Sequence, residues 1–226
     1  QPLASANAVL SEDEKELGCI LIDIGGGTTD VLMYVDGAVW HTGVLSIGGG
    51  HLSNDLSVGL RTPTVSAEVI KRKYGCAMRG LVNPAGMIEV PAVGGRPPQR
   101  VPRTVLADIL QPRMEEIFSL VNREVQMTGL REMIAAGVVI TGGACLVEGT
   151  ADVAEEVFKF PVRVGMPRNV SGLKDMVASP IHATAVGLCQ YGIIDQEIKG
   201  NNLQPRGGRL FGDFRDRVKG WLKEFF

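Results

Sequence analysis

The feature that most constrains this chain is the run Ile20-Leu21-Ile22-Asp23-Ile24-Gly25-Gly26-Gly27-Thr28-Thr29-Asp30-Val31-Leu32. An apolar segment ends in an acid, turns through glycine, and resumes with two hydroxyls, a second acid and more apolar residues. Apolar runs of this length bounded by glycine read as buried strands. Successive glycines between strands cost chain entropy, and are expected where something must approach the backbone closely. Bare amide N–H groups in a tight turn form an anion-binding nest, so phosphate is the natural occupant. Asp23, at the strand's end, is placed to hold a metal through water, and Thr28 and Thr29 offer hydroxyl donors. A plain glycine-rich hairpin turn is the structural alternative.

Two familiar phosphate loops are excluded. There is no G-x-x-x-x-G-K-[ST] segment, and Gly25–Gly27 do not open a helix as a dinucleotide fingerprint requires. After Asp30 the pattern stays strand-like to Val35. Asp36-Gly37 then marks a two-residue hairpin turn, and a strand returns from Ala38 to Leu45. This layout resembles the phosphate-binding half of the actin, sugar-kinase and Hsp70 superfamily, and Asp23–Asp30 is similar to its second phosphate motif.

Composition excludes little else. The chain has 226 residues, 45% of them hydrophobic and 21% charged, which is ordinary for a soluble globular protein long enough to bury a core. A net charge of −2 gives no case for nucleic acid. Cys19, Cys76, Cys145 and Cys189 are widely spaced among apolar residues and read as buried reduced thiols. His41, His51 and His182 have no zinc-site spacing. No signal peptide precedes the first strand, and no apolar run reaches the roughly 20 residues that span a bilayer. A start at Gln1 rather than methionine is expected of a piece of a longer chain.

Along the chain, Leu3–Leu10 is small and apolar, and Ser11–Glu16 reads as an acidic connector. Ile47-Gly48-Gly49-Gly50-His51 resembles the superfamily's second glycine turn, leading into a helix over Leu52–Leu60. Thr62 and Pro63 are expected to cap the next helix, which Gly75 closes after Tyr74. On it Glu68 and Lys71 are three apart, hence neighbours. The superfamily resemblance implies that such a pair reaches a nucleotide's ribose and base, and a solvated ion pair is the plainer alternative. Ala77–Arg103 breaks into short strands and turns, with Met87–Pro91 a strand and Gly94–Arg103 a basic, proline-stiffened loop. Its Arg96, Arg100 and Arg103 are open to an acidic partner, to phosphate or to solvent. A helix follows from Thr104, with Pro112 expected to start another. Met114, Ile117, Phe118, Val121 and Val125 form one apolar face there, leaving Arg113, Glu116 and Asn122 opposite. Ala135–Ile140 is a buried strand ending at Thr141-Gly142-Gly143, which resembles the superfamily's adenosine motif. Helices are expected over Ala151–Phe158 and Pro180–Gln190, and a strand over Val162–Gly165.

The end of the chain changes character. Lys199–Gly208 has a linker's composition. Beyond it Leu210, Phe211, Phe214, Val218, Trp221, Leu222, Phe225 and Phe226 fall on one helical face. The remaining residues of 209–226 carry five basic and three acidic side chains. Bulky aromatics with a basic polar face describe a helix lying in a membrane interface, and docking on its own domain is the alternative.

The whole order resembles the C-terminal half of FtsA, the actin-like bacterial cell-division family. The specific segments are Leu3-Ala4-Ser5-Ala6, Glu12–Gly18, Val93-Gly94-Gly95-Arg96-Pro97-Pro98 and the tail. The resemblance implies an actin-like α/β fold of the ribonuclease H-like class, carrying an inserted small α/β subdomain, then a linker and an amphipathic helix. Residues 1–61 and 133–198 would form subdomain IIA, 62–132 subdomain IIB, 199–208 the linker and 209–226 the membrane-targeting helix. It implies ATP held by Gly25, Gly26, Gly27, Thr28, Thr29, Glu68, Lys71, Gly142 and Gly143, and Mg2+ held by Asp23 through water. Gln1 matches the position that orients attacking water. It further implies an adaptor that polymerises with ATP and tethers FtsZ filaments to the cytoplasmic face of the inner membrane at the division site, recruiting later division proteins. IIB would bind the FtsZ C-terminal peptide, with Pro112-Arg113 matching the family's Pro-Arg motif and Arg96, Arg100, Arg103 and Asn122 as further contacts. The competing expectation is a sugar-kinase or Hsp70-like ATPase whose turnover is the main activity. The first phosphate motif of a complete ATP site lies outside this sequence.

Overall fold

The computed structural model describes residues 1–170 and 177–200. Residues 1–189 form one compact unit, and a second begins at Gln190. The first is built on a five-stranded sheet. Strands β1 (Cys19–Ile24), β2 (Thr29–Val35) and β3 (Ala38–Leu45) form an antiparallel meander, and β6 (Gly137–Thr141) and β7 (Val162–Val164) continue it in parallel, in the order β3-β2-β1-β6-β7. A separate antiparallel pair, β4 (Met87–Val90) and β5 (Gln99–Pro102), lies in the segment between β3 and β6. Asp36 and Gly37 both take positive φ, at 51° and 74°, as the tight β2–β3 turn demands.

Every residue of β1 and β2 is buried, which explains their unbroken apolar character. Ile20, Ile22 and Ile24, with Val31, Met33 and Val35, face a large core that includes Leu52 and Leu56 of α3 (Gly49–Leu60), Met114, Ile117 and Phe118 of α5 (Arg103–Met127), and Val153 and Phe158 of α6 (Thr150–Phe158). Phe118 and Phe158 meet edge to face, ring centres 5.9 Å apart. Cys19, Leu21, Leu32 and Tyr34 face the other way, onto α1 (Pro2–Val9) and Ala183 of α7 (Ala183–Gly200). The same core runs without a break into 62–132, taking in Ala67 and Ile70 of α4 (Thr64–Tyr74) and Ile88 and Val90 of β4.

Several local expectations are corrected. Ser11–Glu16 is not a plain connector but the start of helix α2 (Glu12–Leu17). Ser11 Oγ accepts from the Glu14 amide while the Glu14 carboxylate accepts from the Ser11 amide, a capping box that the S-x-x-E spacing announces. Thr62 does not cap α4. Pro63 occupies the cap position, so Thr62 lies one residue too early, and its hydroxyl is buried without a hydrogen bond. Pro112 does not begin a helix: α5 is continuous for 25 residues around it. An interior proline leaves the carbonyl four residues back without its donor. Here both Pro112 and Asp108 are exposed, so the proline falls on the solvent side of the helix. Residues Gln99–Pro102 are strand rather than loop, and Arg103 opens α5. Cys189 is exposed, unlike the other three thiols. Lys199 and Gly200 are still helical, and the rest of the linker and the 209–226 tail lie outside the described residues.

One ion pair fastens α1, α2 and β7 together. Arg163 of β7 donates to both carboxylate oxygens of Glu14, at 2.6 and 2.7 Å, and to the Val9 carbonyl at 2.9 Å. Burial raises the Glu14 pKa, but the Arg163 and Ser11 hydrogen bonds outweigh it and hold the carboxyl at about 2. A depressed carboxyl stabilises the fold above its unfolded pKa and withdraws that support as pH falls toward the folded value. Thermal melts should therefore show wild type losing stability between pH 4.5 and 2 more steeply than Glu14→Gln. Parallel acid profiles for the two proteins would contradict this role for the pair.

Candidate functional site

The sheet brings two glycine turns against each other. The Gly25 amide closes the first turn on the Thr28 carbonyl at 2.9 Å. The amides of Gly49 and Gly50, in the first turn of α3, then donate to the carbonyls of Gly25 and Gly26 at 2.8 and 2.7 Å. Contact this close requires glycine at Gly48 too: a Cβ there would lie 2.7 Å from the Gly25 carbonyl oxygen. Thr29 pins the second turn, its hydroxyl donating to the Ile47 carbonyl at 2.7 Å. That bond is buried, so Thr29 serves the architecture of the turns.

Both turns open onto a cleft of about 710 Å³, a volume within the range of small-molecule sites. Gly25, Gly26, Gly49 and Gly50 line one end, Glu68, Lys71 and Arg72 of α4 another, and Gly143, Ala144 and Glu148 a third. Lys71 is 6% exposed, and each of its donors has a partner. Its ammonium reaches the Gly49 carbonyl and Ser53 Oγ, each at 2.8 Å, and Glu68 at 2.7 Å. Burial pushes the Glu68 carboxyl up, but hydrogen bonds from Lys71 and Ser53 leave it below its ordinary value. The predicted Glu68–Lys71 pair is therefore a cleft-wall network tied to the start of α3, more than a solvated helical pair.

Asp23 sits behind the turn. Its Oδ2 accepts from Ser5 Oγ at 2.6 Å and Thr184 Oγ1 at 3.2 Å, on the α1–α7 side of the sheet. Gly142, with φ +88°, makes room for its other oxygen: a Cβ there would lie 2.5 Å from Asp23 Oδ1. Asp30 is its cross-strand neighbour, and burial first, then the Asp23 charge, raises the Asp30 pKa. Two neighbouring carboxylates behind a glycine turn fit the donor set of Mg2+, which takes one or two carboxylates together with phosphate oxygens.

The other predicted residues are dispersed. Gly27 and Thr28 are exposed at the tip of the first turn. Gln1 precedes α1, its carbonyl accepting from the amides of Ala4 and Ser5 at 3.0 and 3.2 Å. Arg113 is held by Asp55, with bonds of 2.6 and 3.1 Å, and by Glu116, and the Asp55 bonds raise its pKa further. Asn122 accepts from Arg131 at 2.9 Å and donates to the Val157 carbonyl at 3.4 Å. Arg103 lines the main cleft, bonded to Glu148 and to the Tyr74 carbonyl. Arg96 borders a separate cavity of about 300 Å³ with Arg61, and Arg100 pairs opposite Glu89 in the β4–β5 ladder. Residues 210–226 of the predicted lipid-facing stripe are outside the described residues. Sequence reasoning missed Gly49, Gly50, Arg72, Ser5 and Thr184 as site residues. The second glycine turn was a visible signal for the first two, Ser5 lies in the family-like segment Leu3-Ala4-Ser5-Ala6, and Thr184 had no signal.

The architecture is an actin-like fold. MreB5 of Spiroplasma citri bound to ADP superposes with a TM-score of 0.67 over 88% of this chain and 60% of that one, at 19% identity. The MamK double helical filament gives 0.59 over 84% and 58%, at 18% identity. Sequence narrows the class. The family model for the cell division protein FtsA matches residues 20–187. The FtsA of Pseudomonas aeruginosa is 44% identical over all of this chain and 55% of its own length, and that of Escherichia coli K12 40% over 99% and 55%. The chain belongs to the FtsA family of cell-division proteins, and spans about half the length of these relatives.

Replacing Lys71 by Met would leave the Gly49 carbonyl, Ser53 and Glu68 without their shared donor. A buried group so stranded costs about 1–3 kcal/mol. Denaturant unfolding should show a loss in that range, and an unchanged midpoint would contradict the network's structural weight.

Proposed function

We propose that this chain supplies the second half of an ATP site, with nucleotide serving mainly as a switch for self-assembly into an actin-like filament. The carrying observation is the convergence of two docked glycine turns, the Glu68–Lys71 network and the Gly142-Gly143 turn around one cleft. In this reading the amides of Gly26 and Gly27, which take no part in the bonds between the turns, hold phosphate, Gly143 and Ala144 let base and sugar lie against backbone, and Asp23 orients Mg2+ through water. Bound ATP and Mg2+ would supply the phosphate and metal charges for these groups to meet, and Asp23 would meet the metal from a position held by Ser5 and Thr184. The MreB5 structure bound to ADP and the MamK filament support the reading by fold. Asp23→Ala in the full-length protein should abolish nucleotide binding measured by calorimetry. Unchanged ATP affinity would remove the metal assignment.

The same proposal makes the protein an adaptor at the division site. Residues 209–226 would lie in the cytoplasmic face of the inner membrane, and the 62–132 segment would receive the C-terminal peptide of FtsZ, with other division proteins recruited later. Among the described residues no helix is long and apolar enough to cross a membrane. An interfacial helix needs neither that length nor that hydropathy. Co-sedimentation with anionic liposomes should pellet the intact chain and leave a 209–226 deletion in the supernatant. If neither pellets, the tail docks on protein.

A further inference from the structure

Gly48 is the residue on which the two glycine turns close. It is buried, and the next two residues, Gly49 and Gly50, carry the amides that donate to the Gly25 and Gly26 carbonyls. Its own N–H takes a different partner. It donates to Nδ1 of His51 at 3.1 Å, while the His51 amide returns a bond of 3.0 Å to the Gly48 carbonyl. This is the side-chain half of a capping box, with histidine in the place that Glu or Gln usually takes. A backbone N–H can only donate, so Nδ1 must be unprotonated and the neutral ring carries its proton on Nε2. An imidazolium donates from both nitrogens and has no lone pair for Gly48. The bond therefore exists in one protonation state of His51 only. His51 itself is exposed and does not line the cleft, so it meets solvent protons without touching the proposed nucleotide.

We infer that His51 is a positioning residue: its neutral ring holds the glycine turns docked, and its protonation releases them and weakens nucleotide binding in mild acid. Protonation sets a donor against a donor and strands the N–H of a buried residue, which is costly. Relief requires the backbone at Gly48 to move, and the next amides along that backbone are the two that grip Gly25 and Gly26. The surroundings leave this equilibrium to the imidazole. The 25–28 turn packed against it has no titratable side chain. From α4, Lys71 is bonded to the Gly49 carbonyl, Ser53 and Glu68, and Glu68 lies below its ordinary value, so it stays ionised through the histidine range. Arg72 stands at the cleft's margin. Cys145, beyond the Gly142-Gly143 turn, is a thiol that burial pushes up to about 12, so it stays neutral. Asp55, one turn further along α3, is engaged by Arg113 of α5, and Glu124 of α5 by His41 of β3. Asp30, behind the turn, is raised by burial and by Asp23. The effect on nucleotide rests on the ATP-site reading above; the effect on the turns does not.

The test compares the full-length protein with His51→Gln and His51→Ala at about pH 7.5 and about pH 5.5, either side of the histidine range. Hydrogen exchange over residues 46–52 is followed without nucleotide and corrected for the intrinsic pH dependence of amide rates, and affinity for ATP with Mg2+ is measured alongside. Wild type should lose protection at Gly48, Gly49 and Gly50 several-fold on acidification, and bind ATP several-fold more weakly. His51→Gln keeps a capping acceptor that does not titrate, so both quantities should change little between the two pH values. His51→Ala should be poorly protected at both, with the circular dichroism of wild type. Asp30, His41 and His182 are common to all three proteins, so their titration cancels in the comparison. The same pH dependence of protection in wild type and His51→Gln, or full protection in His51→Ala, would overturn the proposal. Protection that follows pH only in wild type, with ATP affinity that does not, would uphold the hold on the turns and overturn its coupling to nucleotide. Absence of ATP binding at either pH would remove the ATP-site reading and leave exchange to decide the role of His51.

Discussion

The site depends on a backbone contact: the amides of Gly49 and Gly50 on the carbonyls of Gly25 and Gly26. These bonds lock the β1–β2 turn to the start of α3, two segments that approach closely because glycine has no Cβ. Without them the turn would be a flexible tip and α3 would have no fixed origin. With them, the remaining cleft walls fall into place. Lys71 reaches across from α4 to the Gly49 carbonyl, so the same short stretch of backbone is held by the sheet on one side and by α4 on the other.

Charge is arranged in layers around that contact. Asp23 and Asp30 lie behind the turn on the α1–α7 face, Lys71 and Glu68 neutralise one another in the wall, and Arg72 and Arg103 stand at the cleft's margin. Net charge near the turns is therefore balanced locally, although the two aspartates repel. Burial and that repulsion together raise the Asp30 pKa. A divalent cation bound beside the pair would relieve the repulsion, which gives the proposed Mg2+ a physical role in the fold as well as in phosphate binding.

Much of this was legible because strand burial and glycine turns leave strong local signals. The apolar runs around Asp23, the Asp36-Gly37 hairpin and the Glu68–Lys71 spacing each specify their own structure over a few residues. The failures came where tertiary context decides. Pro112 reads as a helix start, yet one long helix continues past it with Pro112 and Asp108 both on its exposed side. Thr62 reads as a cap, yet the proline after it takes that position. Ser5 and Thr184, which fix Asp23, are 179 residues apart, and no local pattern links them. Arg113 was legible as a cation on the polar face of α5, but its neutralisation by Asp55 depends on how α3 and α5 pack. For a partner surface, sequence locates the basic residues, and only packing tells which of them are already engaged.

The most direct test of the docked-turn account is nucleotide affinity of Gly48→Ala in the full-length protein, with circular dichroism as the control for folding. A methyl group there would meet the Gly25 carbonyl oxygen at 2.7 Å and those of Thr28 and Gly26 at 3.0 and 3.1 Å, forcing the turns apart while leaving the sheet untouched. The account predicts native-like secondary structure with ATP affinity lowered at least tenfold, equivalent to about 1.4 kcal/mol. Wild-type affinity in a folded Gly48→Ala protein would contradict it.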